Sequence, residues 1–178
     1  MYSGGILSMS EVNALTPEQF EWLFGNVVEH YSDIAQYVAR MRPFTSVKSM
    51  KKCFYECLDK LDISEMENVL LRYPDLVGKL IGEGFLTSEL QSEQENFLLE
   101  SMSKGETQIL RTCNDLYKEK FRIPFVIHVQ KNKVPTILTS IHSRLQNTKD
   151  IELHVAIQEV KKICNSRIDH LVWSDIHI

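Results

Sequence analysis

The sequence predicts an all-α fold, arranged as a single-domain bundle of about eight helices. Hydrophobic residues recur at spacings of three and four through most of the chain, which is the period of a helix with one buried face. Residues that favour helix starts precede many of these runs. The length of 178 residues and a hydrophobic content of 43% suit one domain over residues 1–178 with a substantial core.

The first predicted helices are bounded by local signals. Thr16 is a candidate N-cap, with Pro17 at the first helical position and Gln19 at the third. Gly25 ends this helix. A second helix is predicted to be capped by Ser32 and to end where a proline follows Arg42.

The middle of the chain continues the pattern. Ser46 opens a helix whose apolar residues extend to Leu61, and a shorter helix starts near Ser64 and must end before Pro74. Four later helices are predicted: from Thr87 or Ser88 to about Met102, from about Glu106 to Phe121, from Pro135 to Leu145, and from near Asp150 with Leu153, Ile157, Val160 and Ile163 facing inward.

One stretch is rich in strand-forming residues, from Pro124 to Val129. It is short and has no obvious partner strand. We therefore expect an extended segment that lines a pocket, and no sheet.

Composition narrows the function classes. The net charge is −4 and the pI is about 5.9, which argues against a nucleic-acid-binding face. No apolar run approaches the roughly 20 residues of a membrane helix. The four cysteines have no zinc-binding spacing, so no metal is expected, and Cys53 and Cys57 share a helix face suited to core packing.

The run from Arg72 to Lys79 carries the main functional signal. It reads Arg-Tyr-Pro-Asp-Leu-Val-Gly-Lys and is similar to the His-Pro-Asp-Leu-x-Gly signature of the OHCU decarboxylases. The resemblance covers a core of about residues 13–171. Other matching positions recur in order along the chain: Asn13, Phe24-Gly25-Asn26, Glu29, Arg42-Pro43-Phe44, Glu93-Gln94, Asn114, Tyr117, Phe125-Val126-Ile127, Arg144-Leu145, Asn147, Glu152 and Arg167.

The resemblance implies an activity. The family decarboxylates 2-oxo-4-hydroxy-4-carboxy-5-ureidoimidazoline (OHCU) to S-allantoin in urate degradation. It implies an all-α fold, no cofactor, a small-molecule ureide substrate and a homodimer. The C-terminal residues do not form a Ser-Lys-Leu-type peroxisomal address, so we expect the cytoplasm, although relatives are often peroxisomal.

The resemblance also implies site residues. Tyr73 stands at the position of the family's catalytic histidine, Glu93 at its glutamate and Arg167 at its arginine. A histidine can exchange a proton near neutral pH, whereas a phenol with a reference pKa of about 10 remains a proton or hydrogen-bond donor. The residues expected to bind substrate are Pro74, Leu90, Gln94, Phe125, Val126, Ile127, His128 and Val129.

Several departures from the family pattern leave a second hypothesis open. Leu90 replaces a serine, Phe97 and Leu98 replace small residues, and Gln130 stands where relatives often have arginine. The alternative to a decarboxylase is therefore an inactive relative that binds a ureide or another protein.

Structural roles remain open for individual site residues. Tyr73 is alternatively a turn tyrosine packed on the core, and Glu93 an exposed helix residue. Arg167 is alternatively the structural partner of Glu159 or Asp169. His128 is more typical of a core histidine than of a base.

Overall fold

The structure is a computed structural model, and it describes residues 5–76, 102–129 and 134–173. Helices dominate these residues, and the only β-pairing among them is an isolated bridge between Leu7 and Val172. The all-α prediction is therefore confirmed. The described helices are α1 (Met9–Ala14), α2 (Pro17–Phe24), α3 (Ser32–Ala39), α4 (Val47–Asp59), α5 (Ile63–Leu70), α6 (Lys104–Phe121), α7 (Val134–Arg144) and α8 (Lys149–Leu171).

Two predicted helix starts are confirmed. The Thr16 side chain accepts a hydrogen bond from the Gln19 amide, and the Gln19 side chain accepts one from the Thr16 amide. Ser46 and Ser49 form the same reciprocal arrangement at the start of α4. These capping boxes satisfy amides that have no partner inside the helix.

Other boundaries differ from the prediction. Helix α1 was not predicted, although Ser8 and Glu11 form a capping box that has the expected spacing in the sequence. Ser32 does not cap α3: it is the first helical residue, and Tyr31 precedes it without a side-chain cap. Helix α5 begins at Ile63, so Ser64 lies inside its first turn. Residues 87–101 of the helix predicted to end at about Met102 lie outside the described residues.

The chain divides into two compact units, and the single-domain assignment stays a prediction. The first unit comprises Met1–Asp62 and Lys161–Ile178. Its core includes Phe20 and Phe24, whose ring centroids are 4.6 Å apart. Asn13 joins α1 to a distant loop, because its side-chain amide exchanges two hydrogen bonds with the backbone of Phe44.

The second unit comprises Ile63–Val160 and contains α5, α6 and α7. Tyr117 and Phe121 on α6 are fully buried, and the four inward positions predicted on α8 are buried as expected. Helix α8 contributes residues to both units.

Within the described ranges, no helix combines the length and apolar character needed to cross a membrane. The same residues contain no cluster of three or more histidine, cysteine or acidic side chains suited to a metal ion.

Candidate active site

Tyr73 lies in the turn that follows α5, immediately before Pro74. Its amide donates to the carbonyl of Leu70 at 3.1 Å, which closes the last helical turn. The residue is 6% exposed, so the tyrosine packs into the interior of its unit. Pro74 prevents the helix from continuing, as the sequence predicts.

Asp75 anchors this turn to helix α6. Its Oδ1 accepts from Asn114 Nδ2 at 2.9 Å, and its Oδ2 accepts from Lys118 Nζ at 2.5 Å. The hydrogen bond to Asp75 raises the pKa of Lys118. Asn114 and Lys118 lie four residues apart, on one face of the helix, so a single carboxylate bridges both.

The segment from Phe125 to Val129 is buried, and residues 124–128 belong to no helix or strand, so the expectation that this run forms no sheet is met. Its extended shape and its lining of a pocket stay predictions. Arg122 adopts a left-handed conformation, with φ of 59°, where α6 ends and the chain changes direction. The ring of Phe125 then meets Tyr117 edge-on, with the centroids 5.2 Å apart. The carbonyl of Val126 accepts from Arg144 Nη1 at 2.8 Å.

Helix α6 therefore holds two parts of the predicted site. Asn114 and Lys118 bind the turn that contains Tyr73, and Tyr117 packs on Phe125. Asn114 and Tyr117 are three residues apart, which is about 4.5 Å along a helix axis. The turn and the extended segment thus share one rigid support.

Arg167 lies on α8 and belongs to the first unit. It is 1% exposed, and its Nη2 donates to Oε2 of Glu29, also 1% exposed, at 2.9 Å. Its Nη1 donates to the carbonyl of Asn26 at 2.8 Å. The partners proposed from the sequence were Glu159 and Asp169; Asp169 pairs with Lys51.

The structure describes only some of the remaining predicted site residues. His128 is buried, at 1% exposure, as expected for a histidine in the core. Leu90, Glu93 and Gln94 lie outside the described residues, as do Phe97, Leu98 and Gln130. Their roles stay predictions.

The sequence interpretation missed one buried polar cluster. Tyr117, Arg144, Asn147 and Glu152 interact with one another beside the extended segment. All four were noted as matching positions of the resemblance, but none was assigned a role. The available signal was a pair of opposite charges, Arg144 and Glu152, which lie eight residues apart across the junction between α7 and α8.

A surface cleft of about 480 Å³ lies in the first unit, outside the residues predicted to form the site. One of its lining residues, Asn26, provides the carbonyl that accepts from Arg167. Its other lining residues are Glu18, Glu21, Trp22, Gly25, His30 and Ser32.

Comparisons with known proteins identify the class that this fold and these residues define. The family model described as OHCU decarboxylase matches residues 13–169. Curated relatives with the name 2-oxo-4-hydroxy-4-carboxy-5-ureidoimidazoline decarboxylase include one from Amia calva, 35% identical over 93% of this chain and 95% of its own length. Another, from Xenopus laevis, is 35% identical over 95% of this chain and 97% of its own length.

Solved structures show the same fold. A crystal structure of (S)-allantoin synthase matches with a TM-score of 0.73 at 17% identity, over 91% of this chain and 53% of that chain. A crystal structure of OHCU decarboxylase in the presence of (S)-allantoin matches with a TM-score of 0.64 at 20% identity, over 82% and 94%. The chain belongs to the OHCU decarboxylase family. These relatives do not favour the alternative of an inactive binding module.

Proposed function

We propose that this protein is an OHCU decarboxylase that forms S-allantoin in urate degradation. The observation that carries the proposal is the shared support of two site segments by α6. Asp75 fixes the turn behind Tyr73, and Tyr117 packs against Phe125, so a substrate ring and a proton donor have a common rigid frame.

The reaction breaks the bond between a ring carbon and its carboxylate. The electron pair remains on the ring and is delocalised onto the ring carbonyl, and carbon dioxide leaves. A proton must then reach that carbon from one face, which makes the product chiral. We assign this donor role to the Tyr73 hydroxyl, because it stands at the histidine position of the family signature. No cofactor is required.

Arg167 and Glu93 complete the proposed catalytic set. The planar guanidinium of Arg167 suits carboxylate or ureide oxygens, and its contacts with Glu29 and Asn26 fix its orientation. Glu93 lies outside the described residues, and its role in the set rests on the family resemblance. Pro74, Leu90, Gln94 and the segment Phe125–Val129 would form the binding surface.

Freshly prepared substrate and the purified protein provide a direct test. We expect the circular dichroism signal of chiral allantoin to develop faster with the protein than in the buffer blank. A rate equal to the blank would exclude the decarboxylase function.

Variants at Tyr73 test the donor assignment. Removing the hydroxyl in Tyr73→Phe should lower the rate by about 10²–10⁴, the usual effect of losing a positioned proton donor. Tyr73→His should retain or raise the rate, and so should the double variant Tyr73→His with Leu90→Ser. Tyr55→Phe is the matched control, because it removes a hydroxyl that binds Asn165 in the first unit. An unchanged rate in Tyr73→Phe would refute the assignment.

We further propose that the protein is a cytoplasmic homodimer, of which the family resemblance implies the dimer. Light scattering of the purified protein should give a mass near twice 20.7 kDa. A mass of one chain at micromolar concentration would contradict the dimer.

A further inference from the structure

Glu152 is the centre of a buried polar network in the second unit. The residue is fully buried, and its Oε1 accepts from the hydroxyl of Tyr117 at 2.5 Å and from Arg144 Nε at 2.7 Å. Arg144 Nη2 lies 2.6 Å from the same oxygen. Asn147 Nδ2 donates to Oε2 at 2.9 Å. A buried carboxylate with three partners is held in one orientation.

Arg144 connects this network to the extended segment. While one edge of its guanidinium binds Glu152, Nη1 donates to the Val126 carbonyl at 2.8 Å. The same group lies over the ring of Phe125, with Cζ 4.4 Å from the ring centroid. A planar, rigid donor group thus contacts two successive residues of the segment at once.

The Val126 carbonyl shares its peptide plane with the amide of Ile127. In a trans peptide the C=O and N–H groups point in opposite directions. Arg144 on the carbonyl side therefore sets the direction of the Ile127 N–H on the other side. That amide forms no hydrogen bond with another described residue, which leaves it as a candidate donor to a ligand.

We propose that Arg144 is a positioning residue, which aims the Ile127 amide at a carbonyl oxygen of the substrate ring. Glu152, Tyr117 and Asn147 hold the guanidinium in place. This role rests on the proposed function, because it assumes that the ring binds along Phe125–Val129. The ligand chemistry is a cyclic ureide with an acceptor oxygen facing the segment.

Arg144→Lys is the informative variant, because it keeps the charge but cannot bind Glu152 and Val126 as a planar fork. We expect kcat to fall about 10-fold or more with a smaller change in KM, since misplacement by about 1 Å can cost 10²-fold. Amide hydrogen exchange of residues 125–129 should become faster. Tyr117→Phe, which keeps the ring and removes one hydroxyl, should show the same pattern more weakly and serves if Arg144→Lys does not fold.

Lys120→Met is the matched control. Lys120 donates to the Leu145 carbonyl at 2.6 Å, so this variant also removes a cation bound to a backbone oxygen near the end of α7. It should leave kcat and the exchange of residues 125–129 unchanged.

Two outcomes separate this role from the proposed function. If the unmodified protein turns over substrate and the variants keep its kcat, the positioning role is wrong while the decarboxylase function stands. If the unmodified protein has no activity, the proposed function fails, and the positioning role of Arg144 in that reaction fails with it. Unchanged exchange in Arg144→Lys would show in either case that Arg144 does not hold the segment.

Discussion

The Arg167–Glu29 pair shows how much the setting of a single residue matters. Both side chains are about 1% exposed and joined at 2.9 Å. Removing one partner of a buried pair leaves a charge without its counter-ion, which typically costs about 3–5 kcal/mol. An exposed pair such as Lys52 and Glu56, at 3.7 Å, contributes at most about 1 kcal/mol.

We expect Glu29→Gln to lower the free energy of unfolding by about 3–5 kcal/mol, because the Arg167 guanidinium loses its buried counter-charge. Urea denaturation measures the effect. Lys52→Ala is the control and should change stability by about 0.5 kcal/mol or less. Replacing both members, as Glu29→Leu with Arg167→Met, should recover part of the loss. Equal effects of Glu29→Gln and Lys52→Ala would contradict the ion-pair argument.

At the scale of elements, the turn after α5 depends on α6 for its position. Asp75 accepts one hydrogen bond from a buried amide, Asn114, and one from the half-exposed ammonium of Lys118. These two contacts differ in how much they contribute to the free energy of unfolding. The Lys118 pair is accessible to solvent, whereas Asn114 is 2% exposed, and its Oδ1 has no partner within the described part of the chain.

Asp75→Ala should therefore destabilise the fold by about 1–3 kcal/mol, since it leaves the buried Asn114 amide without this acceptor. Lys118→Met should cost about 1 kcal/mol or less, because only the half-exposed ion pair is lost. Thermal and urea unfolding of the two variants provide the comparison. A larger effect in Lys118→Met than in Asp75→Ala would reverse this ranking.

At the scale of the whole molecule, the partly buried Tyr55 and the buried Tyr117 contribute to how stability responds to alkaline pH. Burial raises the pKa of Tyr55 to about 12, and burial also raises the pKa of Tyr117. In the unfolded chain these phenols ionise near pH 10. Above that pH the unfolded state binds fewer protons than the native state, so the free energy of unfolding falls.

We expect the contribution of these two tyrosines to stability to persist to about pH 10 and to fall as the pH rises toward 12. Tyr117→Phe and Tyr55→Phe should each make this fall shallower, because the unfolded state loses one ionising group. Urea denaturation between pH 8 and pH 11.5 measures the slope. Tyr37→Phe, at a position 47% exposed, is the control and should leave the slope close to that of the unmodified protein. Parallel curves for all variants would rule out this cause.

Much of the helical architecture was accessible from local sequence. Thr16 and Ser46 each form a capping box with the residue three positions later, so these boxes can be recognised in the sequence without knowledge of packing. Ser32 shows the limit, because cap preference alone does not decide between adjacent residues. The absence of a sheet at residues 124–129 was also predicted correctly, since a run of strand-forming residues without a partner strand cannot form a sheet.

The sequence by itself determined the fold class, the starts of α2 and α4 and membership of the family, because caps, apolar periodicity and ordered motifs can be read directly along the chain. Tertiary structure alone decided the pairing of Arg167 with Glu29, which are 138 residues apart. It also decided the anchoring of Asp75 on α6 and the contact of Arg144 with Val126. Such contacts depend on which helix faces pack together, and many charged residues along the chain have suitable chemistry for each role.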